Sequence, residues 1–165
     1  MTHFVRKIRL LSEAEIKDIY AFPVFNELEQ SLYLKFTDEE ISIANQYKTL
    51  KGKIYFLLAF SYFKAKQQFY RFNLDNSLDA TYVMLQYFES KEPINFIGKV
   101  DDKTFRKQKN DILTLLDYQD WSPHLAPILK EKLESLLRFY PKPHNAIRQL
   151  LIYLEQEKVI VPSYR

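Results

Sequence analysis

At 165 residues, 47% of them apolar and 27% charged, the chain is long enough to bury a core without staples and too hydrophobic to be a disordered tract. It has no cysteine, which excludes disulfides, zinc-thiolate centres and cysteine nucleophiles, and its net charge is only +3, from 24 Lys and Arg against 21 Asp and Glu. Two glycines, with seven prolines placed mostly between periodic segments, point to an all-α fold, because hairpin turns would need more glycine.

The start, MTHFVRKIRLLSEAE, offers only the pair Leu10-Leu11 as an apolar run, too short for a secretory signal, so a cytoplasmic location is expected. Ser12 to Glu15 is a capping box that opens a first helix carrying Ile16, Ile19 and Tyr20 and ending near Pro23. A short second helix is expected over residues 26–34, with Leu28 and Leu32 at helical spacing, and Thr37 to Glu40 is another capping box before Ile41, Ile43, Ala44 and Tyr47.

From Leu50 to Phe69 the pattern is apolar on every side. The run IYFLLAFSYF, residues 54–63, is shorter than the roughly 20 residues that a membrane helix needs, so it reads as a central core helix with Lys51, Lys53, Lys64 and Lys66 at its ends. Charge is segregated around it. No acid lies between Glu40 and Asp75, where Lys48, Lys51, Lys53, Lys64, Lys66 and Arg71 supply six positive charges.

Ser77 can cap a helix to about Phe88, with Leu78, Tyr82, Leu85 and Phe88 on its expected buried face, and residues 94–100 read as a connector after Pro93. Asp101-Asp102 opens a helix to about Leu116. Its apolar side carries Phe105, Ile112 and Leu116, while Lys103, Arg106, Lys107 and Asn110 fall within about 100° of one another on the opposite side, making a basic outer face with Lys109 nearby. Ser122-Pro123 begins the next helix, to about Phe139. The turn Tyr140 to Pro143 leads into a last helix from His144 to about Lys158, followed by an extended Val159 to Pro162.

Enzyme signatures are missing from these patterns. His3, His124 and His144 share no metal-type spacing, so no metal or cofactor is expected, and two glycines cannot build a phosphate-binding glycine loop or a nucleophile elbow. Most carboxylates sit in helix first turns, where they complement the dipole. The basic clusters fit either phosphate contacts on a nucleic acid or an ordinary solvated surface. The helix pair around Tyr140 to Pro143 is either an ordinary helical hairpin of a bundle or a helix-turn-helix candidate, whose second helix presents Asn145, Arg148 and Gln149 as side chains of base-reading type.

The order of the segments RLLSEAEIKDIYAFPVF, LYLKFTDEEISIANQYKTLKGKIYFLLAFSYFKAKQQF and EQEKVIVPSYR, running from Arg9 to Arg165, resembles the N-terminal region of Tn3-family transposases. In that family an acid-rich helix precedes an L-[ST]-x-E-type helix, a basic stretch enters a long apolar helix, and a short I/V-x-P-x-Y/R signature closes the region. The resemblance implies binding to double-stranded DNA at transposon terminal inverted repeats. It also implies a chain without the catalytic ribonuclease-H-like domain of the full-length DNA strand transferase, with any homodimer formed through that missing remainder. Lys48 to Lys53 departs from the family in carrying lysines where arginines are frequent.

About eight helices in two DNA-binding modules, 1–72 and 73–165, are therefore expected. The expected phosphate contacts are Lys48, Lys51, Lys53, Lys64, Lys66 and Arg71 in the first, and Lys103, Arg106, Lys107 and Lys109 in the second. Asn145, Arg148 and Gln149 are the expected base readers. The competing expectation is a helical protein-interaction module with no nucleic-acid role, whose lysines only solubilise it.

Overall fold

Side-chain caps fix where most of the helices begin. The computed structural model describes residues 11–75, 77–89 and 98–163, and among them lie eight α-helices and no strand. They are α1 (Glu13–Tyr20), α2 (Glu27–Tyr33), α3 (Asp38–Ala44), α4 (Leu50–Lys66), α5 (Leu78–Tyr87), α6 (Asp102–Leu116), α7 (Leu125–Phe139) and α8 (Pro143–Gln156). Ser12, Asn26 and Thr37 each form a reciprocal capping box with a glutamate three residues on, Glu15, Glu29 and Glu40. Thr49, Ser77 and Asp101 cap α4, α5 and α6 through their side-chain oxygens. The start of α7 differs from expectation. Ser122 and Pro123 carbonyls accept bonds from Leu125 and Ala126 in a turn, and the helix proper has no side-chain cap.

The chain forms two compact units. One is Phe22–Tyr118, with α2 to α6; the other joins residues 11–21 to 119–163, with α1, α7 and α8. This division replaces the expected boundary at residue 72. Its physical reason is α4, which packs on α2, α3, α5 and α6, so helices on both sides of residue 72 share one core.

Within Phe22–Tyr118, α4 is that core. Ten consecutive residues from Ile54 to Phe63 are buried, as their all-round apolar pattern requires. Tyr55 stacks on Phe72 with ring centroids 4.0 Å apart, and its hydroxyl accepts the backbone N–H of Phe72 at 3.2 Å. Tyr62 donates to Asp79 at 2.8 Å, and Gln30 donates to the other oxygen of that carboxylate at 2.8 Å, linking α2, α4 and α5. Ser61, an apparent break in the apolar run, donates to the carbonyl of Tyr33 at 2.8 Å. Each fully buried Phe or Leu of α4 contributes roughly 1.5–3 kcal/mol of transfer free energy.

The expected register of α5 is wrong. Its buried residues are Ala80, Val83 and Met84, whereas Leu78 and Leu85 are 78% and 64% exposed. Ala80, Val83 and Met84 form the buried face of α5, which packs on α4, and the Asp79 bonds fix that rotation. Leu28 and Leu32 of α2 likewise face outward. The expected connector over 94–100 lies outside the described residues up to position 97.

In the other unit α7 and α8 form a packed hairpin, and Ala146 and Leu154 of α8 are buried with Leu11, Val159 and Ile160. The extended exit pairs with residue 119: Gln119 donates to the Lys158 carbonyl at 2.7 Å and accepts from Ile160 at 3.1 Å. No helix among the described residues is long and apolar enough to cross a membrane.

Candidate nucleic-acid interface

In the Phe22–Tyr118 unit the first turns of α4 and α6 border one groove of about 720 Å³. Lys48, Lys51, Lys99, Lys103 and Lys107 line it, with Gln46, Tyr47, Thr49, Gly52, Val100, Asp101 and Thr104. Among the described residues, five lysines thus face one acid.

Local chemistry explains why they meet. Thr49 accepts the N–H of Gly52 at 3.0 Å, which starts α4 immediately after Lys48 and puts Lys51 in its first turn. Alone among α1 to α6, α4 has no acid in that turn, so no carboxylate of its own first turn offsets the positive end of its dipole. Gly52 also admits a close approach: a Cβ there would lie 3.1 Å from Thr49 Oγ1. The buried side chain of Gln108 donates to the Gly52 carbonyl at 2.9 Å and clamps α6 against the start of α4. Lys99 arrives through Gly98, whose positive φ of 82° suits glycine and whose N–H donates to Asp75 at 3.1 Å.

The one acid of the groove among the described residues is already engaged. Asp101 accepts from the Thr104 N–H at 2.7 Å and from its hydroxyl at 3.0 Å. Chiefly that backbone bond, then the hydroxyl, holds the Asp101 carboxyl below its ordinary pKa. Lys107 is engaged too: it donates to Asp111 at 2.7 Å, lies over the Tyr47 ring at 4.6 Å, and shares Asp111 with the Tyr47 hydroxyl, which donates at 2.6 Å. Burial, then the Asp111 carboxylate, pushes the Tyr47 pKa up, so this hydroxyl is a structural donor.

Of the residues expected to contact phosphates, the groove gathers Lys48, Lys51, Lys103 and Lys107. It does not gather the others. Lys64 is half-buried at the far end of α4, 4.5 Å above the Phe60 ring, and burial lowers its pKa. Arg71 stacks on Phe105 at 3.8 Å and pairs with Asp102 at 2.8 Å. Lys109 lies over Phe69 at 5.6 Å, and Lys53, Lys66 and Arg106 stand away from the groove lining. Lys99, which the sequence reading passed over as part of a connector, is the addition; the signal was a lysine directly after a glycine and two residues before a helix cap.

The expected base readers belong to the other unit. Asn145 is exposed and Gln149 half-buried on α8. Arg148 lines a small cavity of about 130 Å³ with His144 and the acidic side of α1, Glu15 and Asp18. His144 Nδ1 stands 3.8 Å from Glu15 Oε1, and the Glu15 carboxyl is held low first by the Ser12 backbone N–H, with His144 and Arg148 adding to it. Part of the face expected to read bases is therefore turned toward α1. Among the described residues no three His, Asp or Glu gather as a metal-holding group.

Fold and groove together define an all-α chain with a concave lysine cluster at the starts of two helices. It belongs to the family described as Domain of unknown function (DUF4158), whose family model matches residues 10–165. No curated protein and no solved structure matches it.

Proposed function

We propose that this chain is a DNA-binding region of the kind found at the start of Tn3-like transposases, recognising transposon terminal inverted repeats and leaving catalysis to another domain. The observation that carries the reading is the convergence of Lys48, Lys51, Lys99 and Lys103 on one groove. Several cations on one side of a protein neutralise phosphates and release counterions, whereas scattered lysines only solubilise. The order of helices expected from the transposase resemblance agrees with this reading. On it, the groove holds backbone phosphates, and exposed Asn145 on α8 remains the candidate base reader. The test is binding to duplex carrying the terminal repeats of a neighbouring mobile element against random duplex. Tighter binding to the repeats is expected; equal affinity would remove the recognition part of the proposal.

A second reading rests on a different surface. Val24, Leu28 and Leu32 around α2 are 86%, 77% and 66% exposed, and Leu78 and Leu85 of α5 are exposed as well. The two helices are tied by Gln30 and Asp79, so these residues decorate adjoining elements and would suit a protein-interaction module. Replacing Lys48 and Lys103 separates the two readings: DNA binding falls on the first and is absent or unchanged on the second.

A further inference from the structure

We infer that the groove at the starts of α4 and α6 seats a phosphate monoester: the phosphorylated end of a nucleic-acid strand or, with the same chemistry, a free nucleotide. The inference deepens the DNA reading and rests on it for the strand that carries the phosphate. Three features support it. First is shape: at about 720 Å³ the groove has the size of a small-ligand pocket, roughly 300–1,000 Å³, which a duplex backbone lying across a surface does not need.

Second is charge. An internal phosphodiester carries one negative charge, whereas a monoester carries nearly two above its second ionisation near pH 6. Among the described residues the lining supplies five lysines against Asp101, and Lys107 is bonded to Asp111, outside the lining. This excess of cations in one concavity suits the doubly charged group. Third is direction: Thr49 and Gly52, at the acid-free start of α4, line the groove, so the positive end of the longest helix adds to the lysine field there. Lys48 and Lys99 approach from the flanking loops and Lys103 from α6, so the cations surround the space and do not form a single row.

The test uses one duplex made with 5′-phosphate or 5′-hydroxyl ends, with AMP and adenosine as a second pair of probes, on the full chain. The phosphorylated duplex is expected to bind on the order of tenfold tighter than the hydroxyl one, as a charge-assisted contact would give. The advantage should vanish in Lys48→Ala/Lys103→Ala and in Lys99→Glu, and shrink between pH 7.5 and 5.5 as the monoester gains a proton. AMP binding where adenosine does not, lost in the same variants, also supports the seat and assigns it to a free nucleotide if the duplex ends make no difference. Equal affinities within both probe pairs, or an advantage that survives in both folded variants, overturns the inference. Affinity for the hydroxyl duplex reports on the DNA reading separately, so either can fail without the other.

Discussion

Replacing Lys48 and Lys103 by alanine removes two of the four lysines, Lys48, Lys51, Lys99 and Lys103, that line the groove beside Lys107, which is held by Asp111. If each neutralises one phosphate, the wild-type chain binds duplex DNA with a log–log salt slope of about −3.6, and the double variant with about −1.8. Affinity should then fall about 150-fold between 50 and 200 mM salt for the wild type, but only about 12-fold for the variant. Fluorescence anisotropy of a labelled duplex across that range measures both. Lys48 and Lys103 are exposed, and alanine at 103 keeps the backbone N–H that faces the capping Asp101, so the fold should survive, which circular dichroism would verify. An unchanged slope in the folded double variant would refute the claim that these lysines meet phosphates.

Tyr55→Phe leaves the stack on Phe72 in place but strands a buried backbone N–H, and should cost about 1–3 kcal/mol in urea unfolding. Lys64→Met should leave DNA affinity unchanged and raise the urea midpoint at pH 7, because burial disfavours the ammonium. Since the folded pKa of Lys64 lies below the unfolded value, the wild type should recover stability, and the gap close, as pH rises through the folded pKa toward the ordinary lysine range near 10.4. Asp101 shows the opposite limb: its carboxyl is held low in the fold, so the stability it contributes is present above the ordinary value near 3.9 and lost as pH falls through the folded pKa. Asp101→Asn keeps a capping side chain, and should therefore lose less stability than the wild type between pH 6 and pH 2.

Helix starts were legible because they are local. A capping residue and a glutamate three positions later interact within one turn, so Ser12, Asn26 and Thr37 announce α1, α2 and α3 without any knowledge of the fold. The core role of α4 was legible for a related reason: a helix apolar on all sides has no face left for water. Rotation of the amphipathic helices was not. Counting large apolar residues placed Leu78 and Leu85 inside, whereas α5 turns Ala80, Val83 and Met84 to α4 because Asp79 must reach both Tyr62 and Gln30. Those partners lie 17 and 49 residues away, beyond any window of local periodicity.

The site shows the same division. The acid-free window marked Lys48 and Lys51, and helical geometry marked Lys103 and Lys107, but nothing local says that the two sets share a groove. Gln108 makes that link, reaching from α6 to the Gly52 carbonyl. Arg71 and Lys64 were indistinguishable from groove lysines in sequence, since a cation over an aromatic ring is visible only once the ring is placed.

The most direct test of the account follows backbone amide chemical shifts during titration with duplex DNA. Shifts concentrated at residues 48–52 and 99–104 are predicted, with little change at α2 and α5. Shifts confined to the exposed leucine face of α2 and α5, or none at saturating duplex, would contradict it.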